Sequence, residues 1–511
     1  MNASAEKLDA LFPIPRPSPP TDFAPDRHPG WDSDSTETVL ELLKDNHKRW
    51  HIFFNDLKFH NHASHHLLSI YAMGAKSTTL RAAYETHVVY MKPAFESPGP
   101  ITKSNWKDHL GDEQYYQSYV SFLSDLLLSS SIQTVLEDYV MSKDANVVPG
   151  KDEQNPLMLS RFLSGFLHPL IHAGYGAEFG LPGLVAEGIA QAAVQDAEAV
   201  SLFPAEIFET ASTVPVSPSG VASRLASLVL SRPSPTVPVS STHALSVLAH
   251  IANDDGLTPK ALNLPIPEGE KDTAIERVVR LAGTKIAKYA GEWTVGTTKE
   301  ELEAKFEELA WMNTVIYAVG GWAGRRQGED EKLAFNGDFF LMHLVTSALL
   351  TSSFVGALTP SFASLFLRTY FTFSLVLYVA RGRPPLPIAA FYESVTANPT
   401  GPGPQPHPVD KALPPAAAPN TWLHIIETTL VHPNEHLCKL QRAVAHFAAI
   451  YGGTVKGRFA EAKKDGLDGA EVLDGTLFIR AAGLTADRLG WMREGEEERG
   501  WDNGGFFSSS D

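Results

Sequence analysis

The sequence has 511 residues, 43% hydrophobic and 20% charged, so it is long enough to bury a large core. Its formal net charge of −17, from 59 acidic and 42 basic residues, disfavours a nucleic-acid partner, and no cluster of Lys and Arg offsets it. A single cysteine, Cys438, excludes an intramolecular disulfide framework and a cysteine-rich zinc site. Any bound metal is therefore expected to have imidazole and oxygen ligands.

The first 35 residues are rich in Pro, Asp and Ser and predict an extended N-terminal arm. They lack the continuous apolar stretch of a secretory signal, so we expect a soluble, cytoplasmic protein. Helical periodicity begins near Thr36 and sustained apolar–polar alternation is scarce, which predicts an all-α fold. The predicted helices cover residues 64–84, 114–141, 157–173, 182–200, 241–253, 272–290, 300–318, 338–356, 361–380, 421–431 and 435–451.

The predicted body, residues 36–455, is a large, bundle-like, multi-helical single functional unit with long irregular loops. Two Pro-rich insertions, 212–239 and 397–420, are interpreted as such loops rather than as domain boundaries. The most apolar segment, 339–358, contains His343 and several Ser and Thr residues, which favours a buried helix over a membrane span. Residues 456–511 are densely charged and predict a C-terminal cap and frayed tail outside any site.

Histidines crowd the segment FHNHASHH at residues 59–66. On a helix His62 and His66 share one face, so one metal could meet both; alternatively, some of these histidines cap the helix and face solvent. A second pair, His168 and His172, lies in an apolar segment where an unpartnered imidazole costs about 1–3 kcal/mol. Pro169 predicts a break or kink in that helix.

Two further helices each contribute a histidine. His343 stands alone in an apolar helix, where a histidine is ordinarily structural unless others converge on it. The segment EHLCK places His436 and Lys439 on one helical face; taken alone they are a first-turn residue and a solvated lysine. Histidines on four separate helices are typical of a metal site inside a helical bundle. Neutral imidazole suits iron, copper, nickel and zinc, and several histidines with an oxygen ligand particularly suit a redox iron. Glu435 is the one carboxylate in these motifs at an obvious ligand spacing.

As an ordered set, these motifs resemble the questin oxidase-like family over roughly residues 36–455. The segments that carry the resemblance are FHNHASHHLLSIYAMGA, FLHPLIHAGYGAEFGLPGLVAEGIAQAA, DFFLMHLVTS, YVARGRP and NEHLCKLQRAVAHFAAIYG. Fungal members of that family are associated with oxidative opening of the central ring of an anthraquinone in polyketide biosynthesis. The resemblance implies iron(II) bound by four histidines and by the carbamate that a lysine forms with carbon dioxide.

The positions that match this ligand set are His62, His168, His343, His436 and, as the carbamate, Lys439. The resemblance leaves a second group as candidates for orienting ligands or contacting substrate, namely His65, His66, His172, Tyr175 and His446. Four more aromatic residues are candidates for stacking on a flat polycyclic phenol, although core packing is the default for such side chains. They are Tyr71, Phe339, Phe340 and Tyr378.

The predicted function is a non-heme iron oxygenase that uses dioxygen to cleave the central-ring carbon–carbon bond of an anthraquinone-like polyketide. One alternative is an NADPH-dependent monooxygenase of Baeyer–Villiger type acting on a related polyketide. NADPH would then be an external reductant, since the sequence has no flavin or dinucleotide fingerprint; GYGAEFG lacks the spacing and the preceding strand. A second alternative is a non-catalytic helical binding or scaffold protein. The oligomeric state is left open.

Overall fold

The computed structural model describes residues 3–148, 150, 155–209, 241–326, 334–413 and 419–507. Every regular element in these ranges is a helix, and the only β-type pairing among them is four isolated bridges. The predicted all-α class is confirmed. The predicted insertion at 212–239 lies outside the described residues. The described parts of the other insertion, 397–413 and 419–420, contain no helix.

Nineteen α-helices, numbered here in chain order, make up the described structure. They are α1 (Ala3–Leu11), α2 (Ser33–Arg49), α3 (Ala63–Ala72), α4 (Ser77–Val88), α5 (Tyr116–Ser129), α6 (Ile132–Leu136), α7 (Met158–Phe179), α8 (Pro182–Val194), α9 (Ala244–Ala252), α10 (Ala274–Ala290), α11 (Lys299–Thr314), α12 (Gly320–Ala323), α13 (Met342–Ala357), α14 (Pro360–Ala380), α15 (Ile388–Ser394), α16 (Thr421–Val431), α17 (Glu435–Tyr451), α18 (Ala460–Lys464) and α19 (Leu477–Leu489). A π-helical turn, Val315–Val319, joins α11 to α12.

Local sequence explains several helix boundaries. Capping boxes begin α10 at Thr273 and α11 at Thr298, where each threonine side chain accepts from a backbone N–H and a glutamate three residues later returns the bond. The predicted helix 64–84 is two helices, because Gly74 turns the chain at φ 94° and a Cβ there would lie 2.6 Å from the carbonyl oxygen of Pro29.

Helix α14 is long and apolar enough to cross a membrane by composition alone. In its most apolar window, 83% of the residues are buried inside the protein, so core packing accounts for that composition. Helices α3, α7, α13 and α17 pack against one another and carry the five predicted iron ligands. The core of the bundle therefore contains the predicted site.

The N-terminal residues differ from the predicted extended arm. They begin with helix α1, and Leu11 and Phe12 are buried against the body. The ring of Phe12 occupies the space beside Gly183 of α8, where a Cβ would lie 2.5 Å from it. The missed signal is the apolar spacing of Leu8, Leu11 and Phe12, which the surrounding prolines obscured.

The C-terminal region is also more than the predicted cap and frayed tail. Helix α19 packs against α17, and Phe478, Leu489 and Trp491 are fully buried. High charge density misled the prediction, because buried apolar residues recur at every third or fourth position between the charged ones. Residues 501–507 reach back to the elements that hold the predicted site.

Candidate metal centre

Each of the four predicted histidine ligands lies at the start of a helix. His62 is the N-cap of α3, while His343 and His436 are the second residues of α13 and α17. His168 begins the second half of α7, after a break in that helix. Unpaired backbone N–H groups make helix N-termini partly positive, so this clustering favours an anionic group in the space between them.

The break in α7 fixes the position of His168. Gly165, Phe166 and Leu167 have left-handed φ angles of 57°, 53° and 68°, which is costly for the two residues that have a Cβ. The helix then resumes at His168, and Pro169 is a residue suited to a first turn. The Nδ1–H of His168 donates to the carbonyl oxygen of Gly165 at 2.6 Å, which leaves Nε2 of the neutral ring unprotonated. The imidazole of His60 stacks on His168 with centroids 4.1 Å apart.

The four histidines come together in the bundle. Nε2 of His62 lies 2.8 Å from Nε2 of His168, and one nitrogen atom from each of His62, His168 and His436 falls within 4.8 Å of the other two. The ring of His343 lies 4.8 Å from that of His168 and 5.2 Å from that of His436, measured between centroids. Helix packing thus brings into one cluster residues that are far apart in the sequence.

Three buried nitrogen atoms of this cluster have no hydrogen-bond partner: Nε2 of His343, Nε2 of His436 and Nζ of Lys439. The other nitrogen of each histidine ring is occupied. Nδ1–H of His343 donates to the carbonyl oxygen of Phe339 at 2.7 Å, and Nδ1–H of His436 donates to the carboxylate of Glu435 at 3.0 Å. Leaving a buried polar atom unpaired is costly, so these three atoms need a partner. A metal ion bound between them would be such a partner, because nitrogen lone pairs are metal donors.

Burial sets the protonation states of the cluster. It lowers the pKa of His62, His168 and His343 well below the usual range for histidine and that of His436 to about 4, so all four rings are neutral at pH 7. Neutral imidazole is the form that binds metals. Burial also lowers the pKa of Lys439 to about 8, and Glu435 opposes this shift.

Glu435 contacts two of the candidate ligands. Its Oε1 accepts from His436 and lies 4.0 Å from Nδ1 of His62. Burial raises its pKa, but the neighbouring His436, His87 and Lys439 more than offset this and hold the pKa of the carboxyl well below its usual range.

A hydrogen-bonded chain runs towards the surface from His65, whose ring centroid lies 5.5 Å from that of His62. Nε2 of His65 lies 3.1 Å from Nδ1 of His172, whose Nε2–H donates to Glu187 at 2.6 Å. The second carboxylate oxygen of Glu187 accepts from His47 at 2.5 Å, and the His47 side chain is 11% exposed. Sequence reasoning missed His47 and Glu187. The available signal was a lone carboxylate in the apolar helix α8, which requires buried partners.

The remaining candidates are more dispersed. His66 contacts His87, which in turn bonds Tyr90, and this group borders Glu435 rather than the four-histidine cluster. Tyr175 stacks on His65 with centroids 5.4 Å apart, and its hydroxyl bonds Ser69. His446 donates to the carbonyl oxygen of Phe23, so it anchors the N-terminal segment and is not brought to the cluster by any contact.

Aromatic side chains flank one side of the cluster. Phe339 lies 5.0 Å from His343 and 4.7 Å from His436, and Phe340 lies 4.5 Å from Phe166, measured between ring centroids. All three phenylalanines are partly exposed. The other two stacking candidates, Tyr71 and Tyr378, are buried in the core, where their hydroxyls bond Thr36 and the carbonyl oxygen of Pro384.

The model of the family described as questin oxidase-like matches residues 59–444, a segment that contains all five candidate ligands. The chain therefore belongs to that family. It is similar to the Baeyer-Villiger oxidase ptaJ of Pestalotiopsis fici, at 27% identity over 63% of each chain. It is also similar to the oxidoreductase AflY of Aspergillus parasiticus, at 27% identity over 62% of this chain and 56% of that one.

A third relative is the Baeyer-Villiger monooxygenase dmxR6 of a Cryptosporiopsis species, at 25% identity over 63% of this chain and 64% of that one. The matched segments thus span less than two thirds of the length of these curated relatives.

Proposed function

We propose that this protein is an iron-dependent oxygenase that acts on a flat, phenolic polyketide of the anthraquinone class. The observation that carries the proposal is the set of three buried nitrogen atoms without partners, on His343, His436 and Lys439, beside the close pair of His62 and His168. Family membership and the names of the relatives agree with an oxygenase.

Iron would be held by Nε2 of His62, His168, His343 and His436 and by a carbamate on Lys439. The uncharged amine of Lys439 attacks carbon dioxide and loses a proton, which gives an anionic oxygen donor. Its burial favours the uncharged amine, and the surrounding helix N-termini favour the anion. Iron(II) held by these residues would supply a redox-active centre for dioxygen beside a bound phenolate.

Residues of the chain would place the substrate beside the metal. Phe339 and Phe340 are partly exposed and next to the cluster, so they offer ring faces to a planar aromatic molecule. The partly positive helix starts favour a phenolate over a neutral phenol. Cleavage of the central-ring carbon–carbon bond of the two-electron-reduced hydroquinone form would leave one atom of dioxygen on each separated carbon, as a carboxylic acid and a phenol, so both atoms enter the product and no external reductant is consumed.

A second candidate is supported by the relatives named Baeyer-Villiger oxidases or monooxygenases. In that reaction one oxygen atom enters the substrate and the other leaves as water, with two electrons supplied by NADPH. Oxygen consumption measured with and without NADPH separates the two candidates, because only the monooxygenase requires NADPH. If the protein were a non-catalytic scaffold, by contrast, the three unpartnered nitrogen atoms would have no role.

Metal analysis tests the proposal. We expect about one equivalent of iron in the purified protein, retained in His446→Gln and lost in His436→Ala. The control is matched because both histidines are buried on α17 but only His436 belongs to the cluster. Full turnover by metal-free protein, or equal iron content in the two variants, would contradict the proposal.

A further inference from the structure

Residues 501–507, here called the C-terminal strap, lie against two helix starts of the candidate centre. The strap falls outside the segment that the family model matches. It is joined to the body by backbone hydrogen bonds and by the carboxylate of Asp502, which is 14% exposed. That carboxylate accepts from Arg326 at 2.8 Å, from Arg488 at 2.9 Å and from the backbone of Gly337 at 2.9 Å. These three hydrogen bonds fix the position of Asp502 relative to the helical body.

Asp502 holds the residue that orients His343. The backbone N–H of Phe339 donates to the carbonyl oxygen of Asp502 at 2.8 Å, while Asp502 N–H donates to Gly337 at 3.0 Å. The carbonyl oxygen of the same Phe339 accepts the Nδ1–H of His343 at 2.7 Å. One peptide segment therefore links the strap directly to the ring whose Nε2 has no partner.

Trp501 holds the start of the helix that carries His436. Its indole N–H donates to Oδ1 of Asn434 at 3.0 Å. The same oxygen caps α17 by accepting from the backbone N–H groups of His436 at 3.1 Å and Leu437 at 3.2 Å. Adjacent strap residues thus fix two helix starts whose histidine rings lie 5.2 Å apart.

We infer that Trp501 and Asp502 are positioning residues that set the separation of the His343 and His436 nitrogen atoms. The inference rests on the proposed metal centre and adds to it a segment outside the family match. Because neither residue touches the cluster, their loss should change how a metal is held without removing any ligand.

Cobalt(II) titration of the full-length metal-free protein tests this inference, because ligand-field absorption reports both affinity and geometry. We expect Trp501→Phe to weaken cobalt binding by about 10- to 100-fold, the usual effect of losing an outer hydrogen bond at a metal site, and to shift the absorption bands. Asp502→Asn should act in the same direction. Trp293→Phe, which loses a similar indole bond to Glu308, should bind cobalt as the wild type does.

Thermal unfolding separates positioning from general instability. The melting temperature of Trp501→Phe should be close to that of Trp293→Phe, while its cobalt spectrum should differ from that of Trp293→Phe. A chain ending at Gly500 should show a larger loss of affinity than one ending at Phe507; if the shorter chain fails to fold, the two point variants decide. If both point variants bind cobalt with wild-type affinity and spectrum while His343→Ala abolishes binding, the positioning inference is overturned and the metal centre stands. Absence of cobalt binding in the wild type would overturn the metal centre and this inference together.

Discussion

Lys439 offers the most specific test of the proposed ligand set. Carbamate formation requires an uncharged amine, and burial lowers the pKa of Lys439 to about 8. At pH 7.5 about one quarter of such amines are uncharged, against about 0.1% of ordinary lysines, which is a gain of roughly 200-fold. Occupancy of the carbamate should therefore rise with pH through 8 and with the concentration of dissolved carbon dioxide.

The assay is carbon-13 NMR of protein equilibrated with labelled bicarbonate, paired with iron titration in buffer with and without carbon dioxide. We expect a carbamate resonance in the wild type and in Lys305→Met, and none in Lys439→Met. Lys305 is a matched control, because it is also buried but its ammonium contacts Glu308 and Ser241. A resonance that survives Lys439→Met, or iron affinity independent of carbon dioxide, would refute the reasoning.

Three further predictions concern the break in α7, the hydrogen-bonded chain that ends at His47, and Glu198, whose backbone N–H donates to Ser164 beside that break at 2.8 Å. Gly165→Ala should destabilise the fold by about 1–3 kcal/mol and reduce metal content, because φ is 57° and a Cβ would lie 3.1 Å from His60; an unchanged midpoint in urea would contradict this. Glu187→Gln should cost about 1–3 kcal/mol, since it removes the ionised acceptor shared by His172 and His47, whereas a substitution without effect on unfolding would contradict the chain. Burial, followed by the charge of Glu276, raises the pKa of Glu198 to about 7 from 4.5; the folded state then binds this proton more tightly, and stability falls as pH rises from about 4.5 to 7. Glu198→Gln should remove up to about 3 kcal/mol of that fall, and identical pH profiles of melting temperature would contradict the assignment.

Sequence pattern located the motifs that carry the candidate ligands, but only packing shows that these residues meet. His62 and His436 lie in crowded motifs, and the resemblance selected them from neighbours that the structure assigns to other contacts, such as His66 with His87. His343 could not be distinguished from a structural histidine, because its significance depends on α7 and α17 packing beside it.

Other features left no readable local signal. The left-handed residues 165–167 include Phe166 and Leu167, whose side chains do not predict that conformation. The strap lies in a charged segment, and its role depends on hydrogen bonds to Asn434 and Phe339, which are distant in sequence. Tertiary contacts therefore decide the orientation of the candidate ligands, while helix positions follow from local periodicity.

Anomalous diffraction from crystals of the iron-loaded protein, recorded on both sides of the iron absorption edge, tests the central claim most directly. The account predicts one strong peak between Nε2 of His62, His168, His343 and His436, with electron density for a carbamate extending from Nζ of Lys439 towards it. No peak at that position, or iron bound elsewhere while these nitrogen atoms remain unligated, would contradict it.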